Sequence, residues 1–541
     1  MKRPLPSLCL EKIFWEIYNE DIISDKPIKT ILDIRNTLFN CLLVNRDFCR
    51  HVIPILWRNT FNKYLPSDKL VMSYLCFLSP EERFSLSQRL NINISGLLDS
   101  FGKKRPFFNY SSYLRELEYH GVFKSVQELW PKESKEERNQ QNIDYQLILV
   151  GELFKMFLSQ CPTLHKLDLT TSTDLNFINP FKFIPIPSTN SCLIKLKEFN
   201  CSEHPDQLKI FNTLSNICHN IEVMKLRGFY HNFNSPILYE AIGKFIRCQK
   251  YLKKFICYFA KKGFMSIIGN SFPISLQEIT LHACDFLEED DPFISFVNYY
   301  NLSSLTLIDC KNLQGSHFSP LRNLKLNIIY TNDPLQYFDI KSIITHSNII
   351  LTKLLLNDVI QPCSFIEHIS TYCPNLTHLK AYISARILPQ IPLLFKSLKK
   401  LEVIDLHNET THYENLIPLT ISNEMAIEIS KSIPNSLYSF TFLLMVVFTR
   451  TSLSLFLEHL DERCINMRDT FNDYDYNDDE YIDIEMNQVI FGKFYVRYDL
   501  EEWMKIRENE LYKLFREFEC TKYLDDKSSY LIPTYIEEID E

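Results

Sequence analysis

One short apolar motif recurs along this chain and limits the folds that it can adopt. The strict form L-x-x-L-x-L begins at Leu164, Leu302, Leu321 and Leu351. When other apolar residues are allowed, further copies begin at Leu196, Ile221, Leu252, Leu276, Leu376, Leu401 and Leu437. Most successive starts are 24 to 32 residues apart, with irregular steps of 19 and 36. This spacing predicts a stack of about eleven similar units.

Each unit is predicted to contain a strand, a turn and a helix. Side chains alternate along a strand, so that apolar motif positions point into a core while the third and fifth positions stay outside it. Helical periodicity follows in several intervals, over residues 147–159, 208–217, 237–246, 363–372 and 425–433. The predicted fold class is α/β, because stacked strand–turn–helix units bury one continuous core.

Many of the 16 cysteines occupy fixed places in these units. Cys161 and Cys373 precede the motif in Cys-Pro pairs, whereas Cys284 and Cys310 follow it. No C-x-x-C pair is present, so we interpret the cysteines as small buried packing residues rather than zinc or redox sites. Over roughly residues 147–460 the sequence resembles the leucine-rich-repeat family, particularly its cysteine-containing subtype. This resemblance implies a leucine-rich-repeat solenoid.

Composition argues against several classes of function. Lysine and arginine number 58 against 67 aspartates and glutamates, and the net charge of −9 favours neither nucleic acid nor an anionic membrane as a partner. Only 10 glycines are present, and no phosphate-binding glycine loop can be assembled from them. Standard hydrolase and kinase motifs are also missing. We therefore expect a non-catalytic chain that needs no metal or cofactor and binds other proteins.

The sequence also predicts an intracellular location. Its first residues lack the continuous apolar segment of a signal peptide. The most apolar run, Phe440 to Phe448, has nine residues, whereas a membrane-spanning helix needs about 20. We expect a cytoplasmic protein, a nuclear protein, or one found in both compartments.

Residues 1–62 carry a different pattern. Short amphipathic helices are indicated by apolar residues at helical spacing, and the segment closes at Trp57. The pairs Leu5-Pro6, Ile13-Phe14 and Leu43-Val44, followed by Phe48, resemble the F-box over about 55 residues. Phe48 stands where that family more often has Trp, and the connection over residues 20–37 is longer than usual. The resemblance implies a small all-α domain ahead of the repeats.

The F-box resemblance implies a specific partner, the Skp-type adaptor of a cullin-based ubiquitin ligase. The residues expected to form or support the docking surface are Leu5, Pro6, Ile13, Phe14, Leu43, Val44 and Phe48. The chain would be the substrate-recognition subunit of an SCF-type complex, a monomer among adaptor and cullin subunits. It would hold an unknown substrate protein near a ubiquitin-charged enzyme.

Two other interpretations remain open. The N-terminal helices can instead form a cap for the solenoid. The whole chain can instead be a leucine-rich-repeat scaffold that binds proteins and has no ubiquitin role.

The third and fifth motif positions define a predicted substrate-binding face. Six of these positions are lysines and four are acidic, so the face is mildly basic. The residues predicted to bind substrate are Lys225, Lys254, Asn323, Lys325, Lys353, His378 and Lys380. An acidic or phosphorylated segment of a partner would fit this face electrostatically. Ordinary solubilising charge is the alternative interpretation.

The segments that flank the repeats are predicted from weaker patterns. Residues 63–146 are assigned to a helical linker with a polar loop, and residues 147–460 to the solenoid. Residues 461–541 are assigned to an acidic loop and a C-terminal amphipathic helix. The loop has eight acidic and no basic side chains over residues 469–485. The helix is expected to cap the solenoid, or else to bind a partner.

Overall fold

The computed structural model describes most of the chain as far as residue 459. The described ranges are 7–19, 28–61, 66–90, 93–100, 106–129, 140–170, 191–202, 207–227, 236–321, 324–330, 337–407, 419–448, 451–459 and 490–491. Within them, residues 262, 288, 290, 363, 384, 438, 444–445, 453–454 and 457–458 are excluded. The predicted C-terminal amphipathic helix and the acidic segment 469–485 lie outside the described residues.

The chain divides into two compact units, Met1–Leu324 and Lys325–Glu541. The α-helices of the first unit are α1 Ser7–Asn19, α2 Ile28–Leu42, α3 Arg46–Leu56, α4 Asp68–Leu75, α5 Pro80–Leu90, α6 Ile94–Ser100, α7 Tyr119–Gln127, α8 Gln140–Gln160, α9 Gln207–Ser215, α10 Pro236–Arg247 and α11 Phe264–Ile268. Its strands are β1 Glu116–Glu118, β2 Lys166–Leu169, β3 Glu198–Ser202, β4 Val223–Arg227, β5 Lys254–Tyr258, β6 Glu278–His282 and β7 Ser304–Ile308.

The second unit has the same kinds of element. Its strands are β8 Lys325–Ile329, β9 Leu351–Gln361, β10 His378–Ile383, β11 Val403–His407, β12 Leu419–Ile421, β13 Ser439–Leu443, β14 Val446–Phe448 and β15 Ile490–Phe491. Its α-helices are α12 Tyr337–Ser347, α13 Ser364–Tyr372, α14 Ile391–Ser397 and α15 Asn423–Ser432. Strands β12 and β14 form a separate two-stranded parallel sheet.

The strands of each unit form a parallel sheet in chain order. In the first unit β1 to β7 pair successively with their neighbours. In the second unit the order is β8, β9, β10, β11, β13 and β15. Parallel neighbours in chain order require a crossover after every strand, and a helix or short 3₁₀ segment supplies it. The predicted α/β class is confirmed.

The alternation along the strands agrees with the motif. In β7, Leu305 and Leu307 are fully buried while Ser304, Thr306 and Ile308 are half-exposed. The helices predicted from periodicity are confirmed as α8, α9, α10, α13 and α15. Between β6 and β7 a 3₁₀ helix over Ile294–Asn298 takes the place of the α-helix.

Cysteine thiols connect successive repeats from inside the core. The thiol of Cys161 lies 3.0 Å from the carbonyl oxygen of Leu114, and that of Cys310 lies 3.3 Å from the carbonyl of Leu281. Burial raises the pKa of the Cys218 thiol to about 12, so the thiolate is disfavoured. The cysteines of the described residues are all free of disulfides. The predicted burial is found at Cys161, Cys218 and Cys310, whereas the repeat cysteine Cys248 is only half-buried.

The N-terminal helical domain, α1–α3, has a core of its own. Buried apolar side chains from all three helices meet there: Leu10, Phe14, Tyr18, Ile34, Leu38, Val52 and Ile55. Asn45 caps α3 by accepting the N–H of Phe48 at 2.8 Å. The ring of Phe48 then packs edge-on against Phe14, with centroids 5.2 Å apart. Three short helices therefore bury most of their large side chains against one another.

The chain after α3 joins this domain to the sheet. The carbonyl of Arg58 accepts the N–H groups of Arg115 at 2.9 Å and Glu116 at 3.1 Å. The carbonyl of Arg115 makes the same pair of bonds one repeat later. Residues 57–61 thus extend the backbone ladder one step beyond β1 and cover the first edge of the sheet.

The sheet begins earlier than the repeat pattern predicts. Strand β1 lies inside residues 63–146, the segment assigned from sequence to a helical linker, and it pairs in register with β2. The signal was present in the sequence, since Leu114, Leu117 and Tyr119 have the motif spacing and all are buried.

Candidate functional site

The inner face is the set of strand side chains that do not point into the core. In the first unit, third motif positions pair from strand to strand in the order Lys166, Glu198, Val223 and Lys254. Fifth positions, beginning at Asp168, follow the same register. The strands thus align side chains from different repeats into rows, at the strand spacing of about 4.8 Å.

Charges on the inner face of the first unit have neighbours of opposite sign. The ammonium of Lys166 lies 3.8 Å from Glu118 and 3.5 Å from Glu198. Glu198 also contacts Lys225 at 3.2 Å, and Lys254 contacts Glu278 at 2.9 Å. Two predicted substrate-binding lysines, Lys225 and Lys254, are therefore already paired.

The charge states of Glu198 and Lys166 follow from the groups around them. Burial opposes ionisation of Glu198, but Lys166 and Lys225 hold the pKa of its carboxyl below the ordinary value. Burial also disfavours the charge on Lys166, yet Glu198 and Glu118 raise the pKa of its ammonium. The attraction outweighs the desolvation at both groups, so Glu198 and Lys166 are ionised at neutral pH.

The inner face of the second unit is arranged differently. Lys353 pairs in register with His378, and Leu355 with Lys380. Lys325 is exposed and Lys353 half-exposed, and within the described part of the chain neither has a carboxylate at ion-pair distance. Lys380 lies 3.8 Å from Asp405.

Asp405 and His378 complete the electrostatic environment of this face. The Oδ1 atom of Asp405 lies 2.7 Å from Nε2 of His407, which shares the carboxylate with Lys380. Burial and the nearby Lys353 both lower the pKa of His378, while Glu402 opposes them. His378 is therefore neutral at pH 7, and the lysines carry the positive charge.

The register of β8 differs from the repeat prediction. The motif places Asn323 and Lys325 beside Lys353 and Leu355. The strand pairing instead places Asn327 beside Lys353, with a register shift after Leu326. Asn323 itself lies outside the described residues, and Lys325 occupies the start of the strand.

A second candidate surface lies on the N-terminal helical domain. Of the predicted adaptor-binding residues, Ile13 is 45% exposed, Leu43 75% and Val44 61%. Phe14 is only 2% exposed, so it supports the surface from the core, and Phe48 packs against it. Leu5 and Pro6 lie outside the described residues.

Sequence reasoning missed three further members of this surface. Leu8, Leu32 and Phe39 are exposed to 78%, 40% and 56%. Leu32, Phe39 and Leu43 have the spacing of one face of a helix, a signal available from the sequence. We call Leu8, Ile13, Leu32, Phe39, Leu43 and Val44 the N-terminal apolar surface.

Neither a metal-binding cluster nor a membrane-spanning helix is found among the described residues. They hold no group of three or more His, Cys, Asp or Glu side chains arranged to bind a metal ion. Among the helices described, none is both long and apolar enough to cross a lipid bilayer.

Comparison with known proteins finds similarity only at the level of structure. No family model matches the sequence, and no curated protein matches it. One similar solved structure is LegL7 from Legionella pneumophila, a leucine-rich-repeat-containing protein, with 13% identity over 57% of this chain and 94% of that chain and a TM-score of 0.29. An internalin from Listeria monocytogenes has 14% identity over 59% of this chain and 81% of its own, with a TM-score of 0.26.

A third similar structure is TLR13 in complex with ssRNA13, with 15% identity and a TM-score of 0.28. The match covers 56% of this chain but only 35% of TLR13. At such scores the assignment depends on the chain's own motif, its parallel strands in chain order and its alternating burial. The repeats form a leucine-rich-repeat fold.

Proposed function

We propose that this leucine-rich-repeat chain is the substrate-recognition subunit of a cullin-based SCF-type ubiquitin ligase. It docks on the Skp-type adaptor through the N-terminal apolar surface and binds a target protein through its repeats. The observation that carries the proposal is this surface, on helices that match the F-box pattern. The chain is non-catalytic in this account, because the transfer chemistry belongs to other subunits.

The exposure of the N-terminal apolar surface favours docking over capping. The core of α1–α3 is filled by residues such as Leu38 and Val52, both 0% exposed. The exposed residues are therefore not needed to close that core. The backbone contact with the first strand comes from Arg58, after α3, rather than from the apolar surface. Several large apolar side chains left exposed on one small domain support a protein-binding role for it.

The joint between helices and repeats suits a receptor that works by proximity. The guanidinium of Arg58 donates to Glu116 at 3.2 Å, and its carbon lies 5.1 Å from the centre of the Trp15 ring. Asn59 donates to the same carboxylate at 3.1 Å. Arg35 of α2 donates to the carbonyl of Asn59 at 2.9 Å. These contacts hold α1–α3 against the first repeat.

The alternative is a leucine-rich-repeat scaffold without a ubiquitin role. It is favoured by the backbone ladder that continues through Arg58, because that arrangement is also what a terminal cap needs. In this alternative the N-terminal apolar surface binds some other protein.

Co-purification with the adaptor and cullin separates the two. Full-length protein should be retained, and a Leu43→Asp/Val44→Asp variant should not, because two charges would be buried in the apolar contact. The matched control is Ile237→Asp on α10, where the replaced side chain is 64% exposed but lies outside the surface. It should be retained like the unaltered chain.

Thermal unfolding of the same proteins shows whether they are folded. Because the replaced side chains are exposed, both variants should melt within a few degrees of the unaltered protein. Folded full-length protein that fails to bind the adaptor would reject the ligase role and leave the scaffold.

A further inference from the structure

We propose that the inner face of the second unit, from β8 to β10, binds a partner segment rich in aspartate or glutamate and carrying an aliphatic residue. This inference rests on the proposed role of the repeats in holding a target protein. It names the chemistry of the segment that they hold.

Two lysines on this face can form ion pairs with an incoming partner. Lys325 and Lys353 lie on neighbouring strands with no carboxylate at ion-pair distance in the described part of the chain. The first unit differs, since Lys166, Lys225 and Lys254 have glutamate partners. An incoming carboxylate would therefore form a new ion pair at β8 and β9 without breaking an existing one.

Neighbouring groups add to the positive charge. Lys380 lies near Asp405, but the carboxylate of Asp405 also contacts His407. The turn before β11 brings exposed Lys399 and Lys400 to the edge where the strands begin, and Lys400 donates to Asn375 at 2.7 Å. Among the described side chains, Glu402, close to His378, and Asp405 oppose these cations.

An apolar strip runs beside the lysines. Ile329 and Leu355 pair in register and both are half-exposed on the inner face. Leu355 in turn pairs with Lys380. An aliphatic side chain of the partner would contact this strip while flanking carboxylates reach the lysines. The combination gives specificity that charge alone would not.

The residue types favour carboxylate over phosphate and nucleic acid. Strands β8, β9, β10 and β11 contain no arginine. Phosphate recognition most often uses the bidentate guanidinium, whereas separated lysines act as point charges.

The test is fluorescence anisotropy with a short labelled peptide of Glu, Ser and Leu, added to the full-length chain. Binding should weaken about tenfold in a Lys325→Glu/Lys353→Glu variant, since two attractive pairs become repulsive. A Lys325→Arg/Lys353→Arg variant keeps the charge and should bind within about twofold of the unaltered chain. Raising ionic strength well above 0.15 M should also weaken binding, because these groups are exposed.

The matched control makes the same charge change elsewhere. Lys69→Glu/Lys209→Glu alters exposed lysines on α4 and α9, outside the inner face, and should leave peptide binding unchanged. Equal losses in both charge-reversed variants, or no loss in the first, would overturn the proposal. Tighter binding of a phosphoserine version by more than about tenfold would replace carboxylate with phosphate as the ligand.

Two further results keep this test separate from the ligase proposal. Lys325→Glu/Lys353→Glu should still co-purify with the adaptor, since the N-terminal apolar surface is unchanged. If the peptide binds only after the acidic residues of 469–485 are replaced by Asn and Gln, the chain's own segment occupies the face. That result would overturn the proposal of a partner segment.

Discussion

Strands β2 to β4 in the first unit and β8 to β11 in the second carry similar mixtures of lysine, acid and apolar side chains on their inner faces. In the first unit each lysine meets a glutamate from an adjacent strand, as Lys166 meets Glu198 at 3.5 Å. In the second unit Lys353 faces His378, and Lys325 lies at the start of β8 without an acidic neighbour among the described residues. The same fold therefore presents a neutralised surface in one unit and a positive surface in the other.

This difference shows that charge counts alone do not locate a binding surface. The repeat pattern ranks Lys225 and Lys353 equally, because both are lysines at inner-face positions. Only the pairing across strands separates them, since Glu198 lies 3.2 Å from Lys225. A lysine that already has a partner gains less from an incoming carboxylate than one that has none.

We expect the cores of the two units to be equally well packed. Leu305 in β7 and Leu379 in β10 are both 0% exposed. Replacing either by alanine should lower the free energy of unfolding by about 3 kcal/mol, through lost burial and the cavity left behind. Chemical denaturation measures both. A cost below about 1 kcal/mol in one unit only would show that the cores differ as well as the faces.

Charge reversal should have unequal effects in the two units. Glu198→Lys would place a third cation beside Lys166 and Lys225, and we expect a loss of about 2 kcal/mol. Lys353→Glu breaks no ion pair among the described residues and should change stability by less than about 0.5 kcal/mol. Glu198→Gln, which removes charge but keeps size, should lie between them. Equal losses for Glu198→Lys and Lys353→Glu in denaturant unfolding would contradict the paired and unpaired assignment.

The two faces should also respond to pH in different ranges, which is the smallest of the expected effects. The pKa of His378 is lowered from 6.5 by burial and Lys353, so its stabilising contribution is present above pH 6.5 and declines as pH falls below that value. The pKa of Glu198 is lowered from 4.5, so its contribution is present above pH 4.5 and is lost as pH falls through the folded value. The melting temperature should depend less steeply on pH than in the unaltered protein, near pH 6 in His378→Gln and below pH 4.5 in Glu198→Gln. Curves identical to that of the unaltered protein would contradict these assignments.

Much of the fold could be predicted from the sequence because the motif encodes which side chains are buried. Strand β1 was missed although Leu114, Leu117 and Tyr119 fit the loose pattern, since tyrosine in place of the last leucine of the motif is a weak signal. The register of β8 against β9 was also not predicted. Leu324, Leu326 and Ile328 alternate, and alternation fixes the face of a strand but leaves its position along the neighbour open.

The candidate sites were less predictable for physical reasons. Ion pairs on the inner face join residues from different repeats, so that no single motif contains both partners. Exposure of Leu43 and Val44 depends on how α1–α3 fill their shared core. Leu32 and Phe39 could have been found from helical spacing, but the family pattern does not include them.

Calorimetric titration of the purified Skp-type adaptor into the full-length chain and its Leu43→Asp/Val44→Asp variant tests the central claim most directly. The account predicts one-to-one binding with Kd at or below about 1 µM for the unaltered chain, and at least tenfold weaker binding for the variant. No measurable heat with folded full-length protein, or equal affinity for both proteins, would contradict docking through the N-terminal apolar surface.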